Sequence, residues 1–377
     1  STTSYTAGAV ISTWGWLRPG DSYMETGKSY RMKVKATDLT YPPNSKTFDY
    51  TFMYDSAPPL TLITVPSNGT DKGAAFDIAG SSSDFGVGVS TVWVSVQQLG
   101  GANGCLNWPV MNDFGGACPG FFPAGRSGGN WIVSGITFTS DKQYVIVSSA
   151  SDFASNMQVV FEEGVSSVTF VYDTDAPQVG ISTPTSARSK SLLQGGFSMI
   201  KGTASDTGIG RLLKVDVRIK QTPEAGQAKY SNPTGLGFNL DTVDDAEIAW
   251  ITAVPISGSD WTSWKLSSGV PFTAGNQYQI EARSYDRTGR FSTAYSTITT
   301  IYDNVAPIST MTWPAEGTVF VSSLPFITGN MVDRTNATGY NASSRIVSVE
   351  LQIRDISNGR GYWRSRTRAG TRSRRGR

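Results

Sequence analysis

Through most of this chain apolar residues fall on every second position. From Lys28 to Asp38 the apolar set is Tyr30, Met32, Val34 and Ala36, and Arg31, Lys33 and Lys35 alternate with it. From Asn276 to Asp286 the set is Tyr278, Ile280 and Ala282, alternating with Gln279, Glu281 and Arg283. The run from Lys142 to Asp152 has the same frame around Tyr144, Ile146 and Ala150. A period of two with one polar face is the pattern of a strand that turns one side to water. A second set of runs puts Val92, Val94 and Val96 inward, then Leu213, Val215, Val217 and Ile219, then Val347, Val349, Leu351 and Ile353. Lys214, Asp216, Arg218 and Lys220 are the outward partners that show the period best. No stretch of about ten residues sustains apolar residues at i, i+3 and i+4, so few helices are expected. The predicted class is all-β.

These runs recur in a fixed frame. Tyr30, Tyr144 and Tyr278 each stand eight residues before an aspartate, Asp38, Asp152 and Asp286. Two roles fit the tyrosine: a corner residue whose hydroxyl bonds the backbone, or plain core filler. A short phrase closes each of these regions. It reads Tyr54-Asp55-Ser56-Ala57-Pro58, then Tyr172-Asp173-Thr174-Asp175-Ala176-Pro177, then Tyr302-Asp303-Asn304-Val305-Ala306-Pro307. Its tyrosines lie 118 (172−54) and 130 (302−172) residues apart, about the length of one β-sandwich domain. After each phrase comes a Gly-x-x-x-Asp frame: Gly80 to Asp84, Gly202 to Asp206 and Gly329 to Asp333. Aspartate suits such turns because its side chain bonds its own backbone.

The phrase therefore marks seams between tandem domains. The chain parses as two complete repeats, about 57–175 and 176–305, between two partial ones. Residues 1–56 carry the second half of the pattern and 306–363 the first half, and neither half offers enough strands for an independent sandwich. Residues 98–131 and 221–249 are insertions at matching places, and long loops at one end of a sandwich are where binding surfaces are sought. The first holds both cysteines, Trp108 and Phe121-Phe122; the second holds Asp241, Asp244, Asp245 and Glu247. The tail 364–377 has seven arginines in fourteen residues and no apolar period, and is expected to be disordered or non-native sequence.

Composition narrows the chemistry. The chain has 377 residues, a net charge of +2 and no histidine. The charge is too near neutral to argue for a nucleic-acid partner. Absence of imidazole removes a Ser-His-Asp triad, a Cys-His pair and any zinc site that needs histidine. No apolar run is long enough for a membrane span, and no signal-peptide pattern opens the chain. It starts at Ser1 rather than Met, as expected of a processed or partial product. Cys105 and Cys118 are the only cysteines, and a bridge between them would stabilise by about 3 kcal/mol. That bridge suits an extracellular setting.

Over residues 1–363 the Tyr-Asp-x-x-Ala-Pro seam, Gly202-Thr-Ala-Ser-Asp206 and the Tyr-x-x-x-Ala-x-x-x-Asp strand resemble bacterial Ig-like tandem repeats of secreted and surface-attached proteins. The resemblance implies tandem immunoglobulin-like β-sandwich domains in an extracellular or cell-surface spacer, stalk, adhesin or fibre component. The Asp173-Thr-Asp175-Ala-Pro177 seam also resembles the calcium-binding linker of cadherins, although the copies at Asp55 and Asp303 lack the second aspartate.

Calcium is the one cofactor to weigh, because hard cations need several oxygens and carboxylates from separate loops can converge at a junction. The candidates are Asp173 and Asp175, with Asp206 or Asp152 on adjoining turns. Against them, aspartate in β-turns usually needs no metal, and no Asp-x-Asp-x-Asp-Gly loop is present. Glu162-Glu163 and the 241–247 cluster read as solvated loop charge, since a glycosidase needs two carboxylates facing across a cleft. Trp14, Trp16, Trp250, Trp261 and Trp264 read as core filler first and as a sugar-stacking surface second. Asn68, Asn336 and Asn341 match the short glycosylation pattern.

The expectation is a non-enzymatic structural or adhesive repeat protein. Its partners would be copies of itself, joined head to tail by completing each other's half-repeats, or neighbouring repeats of a longer chain. The rival is a glycan-binding accessory module of a secreted enzyme, reading through 98–131 or 221–249.

Overall fold

The computed structural model describes residues 23–100, 104–185, 188–189, 200–223, 226–235, 237–267, 272–303, 306–319, 323–324, 326–333, 346–354, 356–357 and 362–368. Trp14, Trp16, Asn336, Asn341 and the end of the arginine-rich tail lie outside them. Among the described residues every regular element is a strand. The chain divides into two compact units, Ser1–Tyr172 and Asp173–Arg377, and the division falls inside the second seam.

The first unit opens with a hairpin of β1 (Lys28–Thr37) and β2 (Ser45–Tyr54). Its sandwich follows as β3 (Leu60–Val65), β4 (Asp71–Lys72), β5 (Ile78–Ser83), β6 (Val89–Leu99), β7 (Phe122–Pro123), β8 (Gly125–Ser127), β9 (Asn130–Val133), β10 (Lys142–Asp152) and β11 (Ser167–Tyr172). One sheet has the order β3-β5-β9-β8 and the other β4-β11-β10-β6-β7. Alternation carries Val92, Val94, Val96, Tyr144, Ile146, Val168 and Phe170 inward against Ile63, Ile78, Trp131 and Val133, all buried.

The second unit repeats that plan with β12 (Gln178–Thr183), β13 (Arg188–Ser189), β14 (Lys201–Ser205), β15 (Leu212–Thr222), β16 (Lys229–Ser231), β17 (Phe238–Leu240), β18 (Ile251–Thr252), β19 (Val254–Ser257), β20 (Asp260–Lys265), β21 (Gln277–Asp286) and β22 (Ser296–Tyr302). Its sheets are β12-β14-β20-β19 and β13-β22-β21-β15-β16-β17, with β18 also on β15. In both sandwiches the short strand β4 or β13 closes the second sheet by running parallel to the last strand, β11 or β22. The chain is therefore a tandem of immunoglobulin-type β-sandwiches, each with its own core.

Three further strand pairs are fragments of the same plan. Hairpin β1–β2 keeps the register of β10–β11: Lys28 faces Tyr54 and Met32 faces Tyr50, as Lys142 faces Tyr172 and Ile146 faces Val168. Strands β23 (Ile308–Trp313) and β24 (Thr328–Val332) pair as β3 does with β5. After them β25 (Ser348–Arg354) pairs with β26 (Tyr362–Arg368). The arginine-rich stretch is thus not unstructured from 364 onward: its alternating Arg364, Arg366 and Arg368 fall within β26, where the β25 ladder supplies backbone partners.

The recurring tyrosine is a corner. Tyr144 and Tyr278 are fully buried, and their hydroxyls accept from the backbone N–H of Thr139 and Thr273, five residues upstream, at 2.8 Å. Tyr30 accepts from the N–H of Glu25 in the same way at 2.7 Å. Burial pushes the Tyr144 and Tyr278 phenols up, so they stay protonated donors, to Thr139 O and Thr273 O.

The insertions are tied down. Cys105 and Cys118 form a disulfide with Cα atoms 5.2 Å apart, Cys105 bridges Gln97 and Gly116, and Trp108 stacks on Phe122 at 4.8 Å. In the second unit the 221–249 insertion folds back over the outer face of β15 and β21. There Arg218 donates to Ala246 O, Arg283 donates to Glu247, and both guanidinium groups lie over the Trp250 ring at 4.5 and 4.0 Å. Arg218 and Asp216, outward by alternation, are consequently 8% and 3% exposed.

Candidate metal centre

At each complete sandwich three aspartates converge: one from the seam that precedes it, one from its Gly-x-x-x-Asp frame and one from the end of its tyrosine strand. In the first unit they are Asp55, Asp84 and Asp152, and in the second Asp173, Asp206 and Asp286. In each group one carboxylate oxygen per residue lies within 4.8 Å of the others. Strand alternation and the fixed spacing of eight from the corner tyrosine put the third aspartate at the same end of the sheet each time.

Backbone donors orient these carboxylates. Asp55 accepts from the N–H of Ala57 and Val87, and Asp84 Oδ2 from Gly86 and Gly88. Asp152 accepts from the Asn156 N–H and side-chain amide, and that amide also donates to Asp55 O. In the second unit Asp173 accepts from the Asp175 N–H, Asp206 from Thr207, and Asp286 Oδ1 from the Thr288 hydroxyl and the Arg290 N–H. Two oxygens stay outside this web: Asp84 Oδ1 and Asp286 Oδ2 are buried with no hydrogen-bond partner. Asp286 is 0% exposed and Asp173 1%. Glycines leave room for the carboxylates, since a Cβ on Gly86 would lie 2.0 Å from Asp55 Oδ2 and one on Gly210 2.7 Å from Asp173 Oδ2 and Asp206 Oδ2.

Three carboxylates gathered out of water repel one another and lose hydration, and a buried oxygen without a donor adds to that cost. A divalent cation offsets all three effects. The donor set is oxygen only and carboxylate-rich, which fits a hard cation such as calcium. The second-unit triad fits best, because its unpartnered oxygen belongs to a fully buried residue.

Of the residues singled out from sequence, Asp173 and Asp206 meet in one triad, and Asp152 stands in the other. Asp175 donates its backbone N–H to Asp173, and a carboxylate oxygen of Asp175 lies within 4.8 Å of one of Asp173, as the seam pairing expected. Sequence reasoning passed over Asp55, Asp84 and Asp286 as ligands, although the threefold recurrence of seam, frame and tyrosine strand was the signal that groups them. Of the seam residues, Tyr172 and Tyr302 are buried core members, Asp303 is 4% exposed, and Pro58, Pro177 and Pro307 lead into β3, β12 and β23.

Of the tryptophans weighed as a sugar-stacking surface, Trp250 and Trp264 are buried. Trp264 is 0% and Trp250 9% exposed, and Trp131 fills the equivalent core position in the first sandwich. Asp241 pairs with Lys229 and Glu247 with Arg283, so the acidic cluster holds its own loop in place.

No protein-family model matches the sequence, and no curated protein matches it. Among solved structures the chain is similar to the fibronectin(III)-like modules of Clostridium thermocellum CbhA, at 15% identity over 64% of this chain and 94% of that one, with a TM-score of 0.25. It is similar to a tetra-tandem repeat in the extending region of a large adhesion protein, at 15% identity over 91% of this chain and 71% of that one, with a TM-score of 0.30. A protocadherin gammaB7 EC3-6 structure is similar at 14% identity over 73% and 58%, with a TM-score of 0.22. Likenesses at this level carry no argument about the site, whose chemistry rests on its own residues.

Proposed function

We propose that this chain is a non-enzymatic, extracellular structural or adhesive segment. Its repeating sandwiches are each fastened at the preceding seam by calcium, and its half-repeats join head to tail with neighbouring repeats. The observation that supports the reading is the recurrence of one complete device, seam, frame and corner-tyrosine strand, around two independent cores. A spacer needs identical, self-contained links. A catalyst needs a cleft with differentiated groups, whereas the feature that recurs here is the same triad at each sandwich.

Titration calorimetry on the full chain should register calcium binding, and the melting temperature should rise with calcium and fall on chelation. A cation held at a hundredfold its Kd stabilises by about 2.7 kcal/mol. Asp286→Asn should abolish the second-unit share of the heat. No heat and no thermal shift would remove calcium from the reading. Light scattering over a dilution series should show mass rising with concentration, and removal of residues 1–56 should hold the chain monomeric. Retention on polysaccharide gels would instead favour a glycan-binding accessory module.

A further inference from the structure

Strands β10 and β21 end in the same turn. The Asp152 N–H donates to Asn156 O at 3.1 Å, and the Asp286 N–H to Arg290 O at 3.0 Å. In return the Asn156 N–H donates to Asp152 Oδ1 at 2.8 Å, and the Arg290 N–H to Asp286 Oδ1 at 2.9 Å. The residue before each has a positive φ, 69° at Ser155 and 90° at Gly289. The backbone at this corner is therefore shared, and what differs is the side chain four residues after the aspartate.

In the first unit that side chain is an amide. Asn156 Nδ2 donates to Asp152 Oδ2 at 2.7 Å and to the Asp55 carbonyl oxygen at 3.2 Å. A carboxylate and a carbonyl oxygen can only accept, which assigns the nitrogen of the amide, not its oxygen, to this place. Asp55 Oδ1 and Oδ2, Asp84 Oδ2 and both oxygens of Asp152 thus accept hydrogen bonds, leaving Asp84 Oδ1. With two N–H groups the amide ties the strand aspartate to the seam, which is the task a cation would perform by charge.

In the second unit the same place in the turn belongs to Arg290, which is exposed. Asp286 Oδ1 accepts from the Thr288 hydroxyl and the Arg290 N–H. Asp286 Oδ2 is buried without a hydrogen-bond partner, in a residue 0% exposed. The second oxygen of the strand aspartate therefore has a donor in one sandwich and none in the other.

We infer that the two triads load in order: the second takes up calcium first and depends on it, whereas Asn156 fastens the first without the ion and competes with it for Asp152 Oδ2. The inference rests on the calcium reading and adds the order of loading and the residue that sets it. A cation entering the first triad must displace or share a charge-assisted hydrogen bond, which weakens its binding there by about tenfold. In the second it meets a desolvated oxygen with no donor to lose.

Calorimetric titration of the full-length chain with calcium chloride should resolve a tighter and a weaker class of site. Asp286→Asn should remove the tighter class and Asp84→Asn the weaker. Asn156→Ala should tighten the weaker class about tenfold and, in chelator, lower the melting temperature of the first sandwich. A reciprocal pair keeps the test independent of how well that variant folds. Arg290→Asn should bind calcium about tenfold more weakly at the second triad than Arg290→Ala, since both remove the arginine and only one supplies an amide. Equal classes, the opposite order, or affinities that neither amide change moves would each overturn the inference and leave calcium binding standing. No heat from the unaltered chain would overturn the calcium reading, and the order of loading with it.

Discussion

The frame glycines act by what they lack. Gly202 has Gly180 O and the Trp264 ring within about 2 Å of where a methyl would stand, and neither backbone nor buried indole can yield cheaply. Overpacking of this kind costs roughly 3 kcal/mol, so Gly202→Ala should lower the denaturant midpoint of the second unit while leaving the first unit's transition in place. The Gly-x-x-x-Asp frame was plain in the sequence, but this reason for its glycine was not, because the indole arrives from a strand far along the chain. The aspartates behave similarly. Asp173 and Asp206 were candidates from the sequence, whereas Asp55, Asp84 and Asp286 read as ordinary turn residues until the fold gathers them into the two clusters.

At the scale of elements, strands were legible and the insertions were not. Alternation put Lys214, Asp216, Arg218 and Lys220 on an outward face, and outward they are. That face is nevertheless roofed by Trp250 and the 221–249 insertion, because two arginines between aromatic rings make a surface that a strap can cover. The strap has a pH-sensitive fastening. The hydrogen bond from Arg283 holds the Glu247 carboxyl below its ordinary range. A carboxylate lowered on folding contributes its stabilisation above the unfolded value, about 4.3, and loses it as pH falls through the lower folded one. Trp250 fluorescence should therefore shift on acidification below about pH 4, and Glu247→Gln should show the shifted signal already at neutral pH. The effect is small, since the Glu247 side chain is 72% exposed.

At the scale of the whole molecule, the two closed cores match the spacing of tyrosines and seams, because each period holds the strands of one core. A consequence for the half-repeats follows from the triads. Asp303 and Asp333 hold the seam and frame positions of the last half-repeat, and the strand position belongs to Asp38. Bonds from Thr40 and Asn44 lower the Asp38 carboxyl to about 2, so it is charged and ready at any ordinary pH. Completion in trans would build a third triad, so calcium should lower the concentration at which multimers form, and Asp38→Asn should blunt that response without altering the melting of the complete sandwiches.

The parallel closure of each sandwich has a bearing on load. Strand β4 lies near the start of its domain and β11 ends it, and the two run side by side in one direction. Bonds from Val171 N–H to Thr70 O, Gly69 N–H to Thr169 O and Ile63 N–H to Val165 O tie the first part of the domain to the last. Tension applied at the two ends drags such strands along each other, so several bonds must break together. In a lone hairpin such as β1–β2 the ends lie side by side, and the same tension peels its bonds one after another. A chain stretched in a force spectrometer should first give up its half-repeats at low force and then yield its two sandwiches in separate, higher steps.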